Sequence, residues 1–83
     1  MNNIELFILG LISRNPGELG WYNVERTITR KREFDIGFDE LMALIDSLVK
    51  NGFLETREGT KTRVYWITEK GKNALATESR KVS

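Results

Sequence analysis

The stretch 34-FDIGFDELMALIDSLVKNGFLE-55 decides how the chain is read. Phe38, Leu41, Met42, Leu44, Ile45, Leu48 and Val49 recur at helical spacing and form one broad apolar arc. Asp39, Glu40, Ala43, Asp46, Ser47 and Lys50 form the opposite side. The piece 32-REFDIGFD-39 reads as the loop leading in, with Gly37 just before the helix. Gly52 follows Lys50 and Asn51, where a helix stops through a left-handed residue. Two β-rich runs come next, 53-FLETRE-58 and 62-TRVYWI-67. The short connection 59-GTK-61 between them contains a glycine, which predicts a hairpin.

Upstream, 4-IELFILGLISR-14 reads as a first helix. Ile4, Ile8 and Leu11 share one side, flanked by Phe7 and Ile12, while Leu6 and Leu9 lie opposite. A helix apolar on both faces is expected to be covered on both. The chain breaks at 15-NPG-17. A second helix is predicted over 21-WYNVERTITRK-31, with Trp21, Val24 and Ile28 as its core stripe and Asn23, Arg26 and Arg30 pointing away. Downstream, 68-TEKGKNALA-76 reads as a fourth helix, with Thr68 as N-cap and Glu69 favoured at the positive helix start. Gly71 weakens that helix by about 1 kcal/mol relative to Ala. The fourth helix is expected to reach about twelve residues at most, with 77-TESRKVS-83 frayed.

The order helix, helix, helix, hairpin, helix is the plan of a winged helix-turn-helix, an α+β fold that is mostly α. Its 83 residues make one domain. A chain of this size buries only about 60% of its unfolded surface, so added interface area has value. Thirteen basic and twelve acidic side chains leave a formal charge of +1, so net charge does not select a partner. With no Cys and no His, disulfides, zinc fingers and Cys- or His-based catalysis are excluded. The longest apolar run, 6-LFILGLI-12, is too short for a bilayer and lacks the basic flank of a signal peptide. A soluble, cytoplasmic protein is expected.

Particular residues sharpen the plan. The segments 52-GFLE-55 and 64-VYWITEKGKNAL-75 resemble the wing of PadR-like and MarR-like winged-helix regulators. That wing reads Gly, an apolar residue, Ile or Leu, Glu, a basic tip, then Tyr-x-Leu-Thr-x-x-Gly-x-x-x-Leu. Tyr65, Ile67, Thr68, Gly71 and Leu75 stand at the matching positions. The front end, 8-ILGL-11 and 20-GWYNV-24, is similar to the Ile-Leu-Gly-Leu and Gly-Tyr-x-Ile of PadR-like proteins. The resemblance spans about residues 4 to 76. It implies a DNA-binding transcriptional regulator whose third helix enters the major groove.

The basic residues Arg26, Arg30, Lys31, Arg32, Arg57, Lys61 and Arg63 fall on or just after the second helix and on the wing. In a winged helix these places flank the groove-facing helix, where cations neutralise phosphates. The alternative is an ordinary solvated surface. The third helix carries three acids, Asp39, Glu40 and Asp46, against Lys50 alone. That face reads as a solubilising surface, as a surface for a basic protein partner, or as a base-reading face (Ser47, Lys50 and Glu40) held on DNA by the flanking cations. Trp66 alternates with Tyr65 and Ile67, so it faces outward with Val64, either as an interface anchor or packed on the flank of the fourth helix. Leu6 and Leu9 are covered by Leu75 and its helix, or by a second copy in a homodimer. Trp21 and Tyr22 read as core or as part of a ligand pocket. Asp35, Asp39 and Glu40 sit near a helix start, where acids favour the helix dipole, and no metal, cofactor or catalytic site is expected.

These readings converge on a repressor that binds double-stranded DNA as a homodimer. Asn23, Arg26, Arg30, Lys31, Arg32, Ser47, Lys50, Arg57, Lys61 and Arg63 are its expected DNA contacts, and Leu6, Leu9, Trp66 and Leu75 its expected protein interface. The alternative is a winged-helix protein-interaction module, an inhibitor or antirepressor, using Asp39, Glu40, Asp46 and Trp66.

Overall fold

The computed structural model describes residues 2–31, 33–59 and 62–82, with the side chains of 79–82 left aside. Helices α1 (Asn3–Arg14), α2 (Trp21–Thr29) and α3 (Phe38–Lys50) precede strands β1 (Leu54–Glu58) and β2 (Arg63–Ile67) and helix α4 (Glu69–Val82). This is the expected α+β winged-helix order.

Each helix start has a local cause. Asn2 and Glu5 form a capping box: the Glu5 N–H donates to Asn2 Oδ1 at 2.8 Å, and the Asn2 N–H donates to Glu5 Oε1 at 3.1 Å. At α2 the Gly20 N–H donates to Asn23 Oδ1 at 3.2 Å. Helix α2 ends at Thr29, two residues before the expected end at Lys31, and Phe34 then packs edge-on against Phe7 with ring centroids 5.2 Å apart. That contact draws the chain after α2 back onto α1. Helix α3 begins at Phe38, so the expected loop stops at Gly37.

The end of α3 is a Schellman turn. Gly52 has φ +81°, its N–H donates to Val49 O at 3.1 Å, and the Phe53 N–H donates to Leu48 O at 2.9 Å. The turn delivers Leu54 into β1, which pairs antiparallel with β2 in the register Leu54 to Ile67 through Glu58 to Arg63. On the other edge of β2, the Tyr65 N–H donates to Leu19 O at 2.8 Å, tying the α1–α2 connection to the hairpin.

Thr68 then locks α4 to the end of α3. Its N–H donates to Phe53 O at 3.1 Å, its hydroxyl donates to Gly52 O, and the same oxygen accepts from the Gly71 N–H at 3.0 Å. The Lys70 ammonium donates to Asn51 O at 2.7 Å and lies 4.8 Å from the Phe53 ring centroid. Gly71 is required here by close approach: a Cβ at this position would overlap the Phe53 carbonyl oxygen and crowd Ile67 Cγ1. The helix penalty of glycine is therefore offset by packing. Helix α4 continues to Val82, six residues past the expected end, because 77-TESRKV-82 contains no Gly or Pro to stop it. The twelve-residue limit is corrected accordingly. Ser83 lies outside the described residues.

The core comprises Ile8, Leu9 and Ile12 of α1, Val24 and Ile28 of α2, Leu41, Ile45 and Leu48 of α3, and Leu54 of β1. Two expectations fail here. Leu9 is fully buried within the single chain, so it has no surface to give a second copy. The α3 arc is narrower than its periodicity suggests: Phe38 and Met42, at its edge, are 56% and 42% exposed.

Candidate nucleic-acid interface

Helix α3 keeps one face uncovered along its length, with Asp39, Glu40, Ala43, Asp46, Ser47 and Lys50 all exposed. Its C-terminal half borders a shallow open groove lined by Ala43, Asp46, Ser47, Lys50 and Asn51. Asn51 Nδ2 donates to Ser47 Oγ at 3.1 Å, which fixes a hydroxyl one turn before the helix end. Sequence reading missed Asn51. Its signal was the i, i+4 spacing from Ser47, a separation at which helical side chains meet.

The wing cations are already engaged. Arg57 Nη2 lies 2.6 Å from Glu55 Oε1, its neighbour but one on the same strand face, and its guanidinium carbon sits 4.8 Å from the Trp66 ring centroid. Arg63 Nε lies 3.4 Å from Glu58 Oε1, directly across the hairpin. Both pairs are exposed. Lys31 is held locally by Glu33 at 3.7 Å and by the Phe7 ring at 4.8 Å. By contrast, Arg26 on α2, Arg30 at its C-cap and Lys50 on α3 are exposed, with no carboxylate of the described residues in ion-pair range. Arg32 and Lys61 lie outside the described residues. Asn23 Oδ1 accepts from the Gly20 N–H at the start of its own helix, which orients the side-chain amide and leaves its NH2 as the donor for an outside partner.

Trp66 does face the same side as Val64, Glu55 and Arg57, but it is half-buried. Gly17, at φ +71°, brings the α1–α2 turn onto the indole so closely that a Cβ there would overlap the ring. Trp66 is thus covered in part by that turn and by Arg57. Of the other residues expected at a protein interface, Leu75 is half-buried on the core and Leu6 is half-buried on α1.

Asp46 marks the corner between α3 and the wing. Burial raises the Tyr65 phenol above its ordinary value, and the Asp46 carboxylate raises it further by disfavouring the phenolate. Trp21 and Phe38 meet edge to face with centroids 5.4 Å apart, which places the start of α2 beside the start of α3.

Solved structures share this architecture. The chain is similar to smu.1704 from Streptococcus mutans UA159, with a TM-score of 0.76 and 26% identity over 94% of this chain and 74% of that chain. It is also similar to SSV1 F-93, with a TM-score of 0.72 and 22% identity over 98% of this chain and 88% of that chain. No protein-family model and no curated protein matches the chain. No helix among the described residues is long and apolar enough to cross a membrane.

Proposed function

We propose that this winged-helix chain is a small sequence-specific regulator of the PadR-like or MarR-like kind. It binds double-stranded DNA and represses transcription by occlusion. It works in the cytoplasm, by binding and without a catalytic step. Helix α3 enters the major groove, and Ser47 and Lys50, with Asn51 bracing Ser47, meet the base edges. Arg26 and Arg30 neutralise phosphates on the α2 side, and Arg57 and Arg63 do so on the wing side.

One observation carries this reading: α3 is open along its outer face, while both elements beside it in the fold, α2 and the hairpin, expose arginines. The wing pairs do not prevent phosphate contact. An exposed ion pair is worth about 0–1 kcal/mol, so releasing Glu55 or Glu58 costs little against the counterion release that a phosphate contact brings. A homodimer using the outer side of α4 and Leu6 would address two half-sites about 34–36 Å apart.

The test is an anisotropy titration of random-sequence duplex at low and near-physiological salt, followed by selection from a random pool. The reading expects a linear fall of log K with log salt and an enriched palindrome. Arg26→Ala/Arg30→Ala is expected to lower the slope by about 0.9 per cation removed. Absence of binding at low salt overturns it.

A further inference from the structure

Among the described residues the exposed large hydrophobic side chains are Tyr22 at 68%, Phe38 at 56% and Met42 at 42%. All belong to α2 and α3. Phe38 and Met42 stand one turn apart and form a single apolar strip on the first half of α3. Trp21 buttresses Phe38 from beneath, edge to face. Such a strip has little to gain from a DNA groove, where the main apolar group is the thymine methyl.

The charges around the strip have one sign. Asp39, in its first turn, and Asp46, one turn beyond Met42, border it, while Glu40 lies on the opposite side of the helix; all are exposed and none is within ion-pair range of a described cation. The wing shows the contrast, since Glu55 and Glu58 each hold an arginine there. Unpaired exposed carboxylates are not strained, but they set a negative potential over the apolar strip and repel an anionic partner.

We propose that the first half of α3 docks a cationic amphipathic segment of a partner protein. An apolar side chain of that segment seats on Phe38 and Met42, and its Lys or Arg residues reach Asp39 and Asp46. Apolar contact supplies an anchor, and the surrounding carboxylates supply orientation, on-rate and rejection of acidic segments. A segment seated on Phe38, Met42 and Asp46 lies alongside the Ser47 and Lys50 side that DNA would use. On the DNA-binding reading above, the partner would release the operator, but the docking itself does not depend on that reading.

The test uses the full chain without DNA, so its outcome is separate from that of the duplex titration. Three fluorescein-labelled peptides of about four helical turns (~15 residues) are titrated by anisotropy: an amphipathic Lys/Leu helix, a Lys/Ser peptide of equal charge and a Glu/Leu helix. The Lys/Leu peptide is expected to bind at least about tenfold more tightly than the other two. Phe38→Ser/Met42→Ser and Asp39→Asn/Asp46→Asn should each weaken it by about tenfold, the second chiefly at low salt, while Asn73→Ala on α4 leaves it unchanged. Because the altered residues are exposed, circular dichroism should show every variant folded. Equal binding of Lys/Leu and Lys/Ser peptides overturns the proposal, as does binding that survives Phe38→Ser/Met42→Ser. Self-association of the chain that this double substitution abolishes also overturns it, because a second copy would then be the occupant.

Discussion

At the junction of α3, the hairpin and α4, nearly every polar group has an internal partner. Gly52, Phe53, Thr68 and Gly71 exchange backbone and hydroxyl hydrogen bonds, and Lys70 bonds the Asn51 carbonyl. The outer face of α3 is the opposite. Among the described residues Asp39, Glu40 and Asp46 have no ion-pair partner, and Phe38 and Met42 stand in solvent. The two regions share one helix, yet the first is complete within the chain and the second is not. Residues that resemble a family signature, Thr68 and Gly71 above all, belong to the closed region. They report a backbone geometry and are silent about what the open face meets.

Substitution should separate the two regions by the size of its effect. Gly71→Ala should destabilise the fold by about 2–3 kcal/mol through overpacking against the Phe53 carbonyl, while Asp39→Ala on the open face should stay within about 0.5 kcal/mol. Urea unfolding measures both, and equal midpoints would erase the contrast. Thr68→Val, which removes a cap and a donor together, should cost about 1–2 kcal/mol in the same experiment. Binding should respond where stability does not. Glu55→Gln/Glu58→Gln releases both wing arginines and should raise duplex affinity about threefold at low salt with little change in melting temperature. A fall in affinity would remove the wing from the DNA surface.

The smallest effect lies at the boundary between the regions, where Tyr65 meets Asp46. The folded chain holds the Tyr65 proton more tightly than the unfolded chain, whose phenol titrates near 10. The raised value therefore contributes stability that is fully present below pH ~10 and is lost as pH rises through the folded value. Tyr65→Phe should abolish this alkaline phase, and Asp46→Asn should reduce it. Urea midpoints measured across the alkaline range report both.

Much of the frame was legible from local pattern. Gly37 and Gly52 bound α3 where the sequence places them, the hairpin falls between the two β-rich runs, and Val24 and Ile28 face the core as their spacing predicts. The candidate site was less legible. Arg26 and Arg57 look equivalent on paper, yet only Arg57 has a carboxylate within reach. Asn23 reads as an outward polar residue, but its carbonyl oxygen caps its own helix.

The sequence by itself determined which elements form, their order, and where α3 stops. Caps, left-handed glycines and hydrophobic period act over a few residues, and those residues are all present in the local string. Only the tertiary structure decided that Leu9 lies inside while Phe38 and Met42 lie outside. It likewise decided that Gly17 covers Trp66 and that Gly71 admits the Phe53 carbonyl. Each of these outcomes depends on how segments distant along the chain approach one another, and short-range periodicity carries no record of that distance.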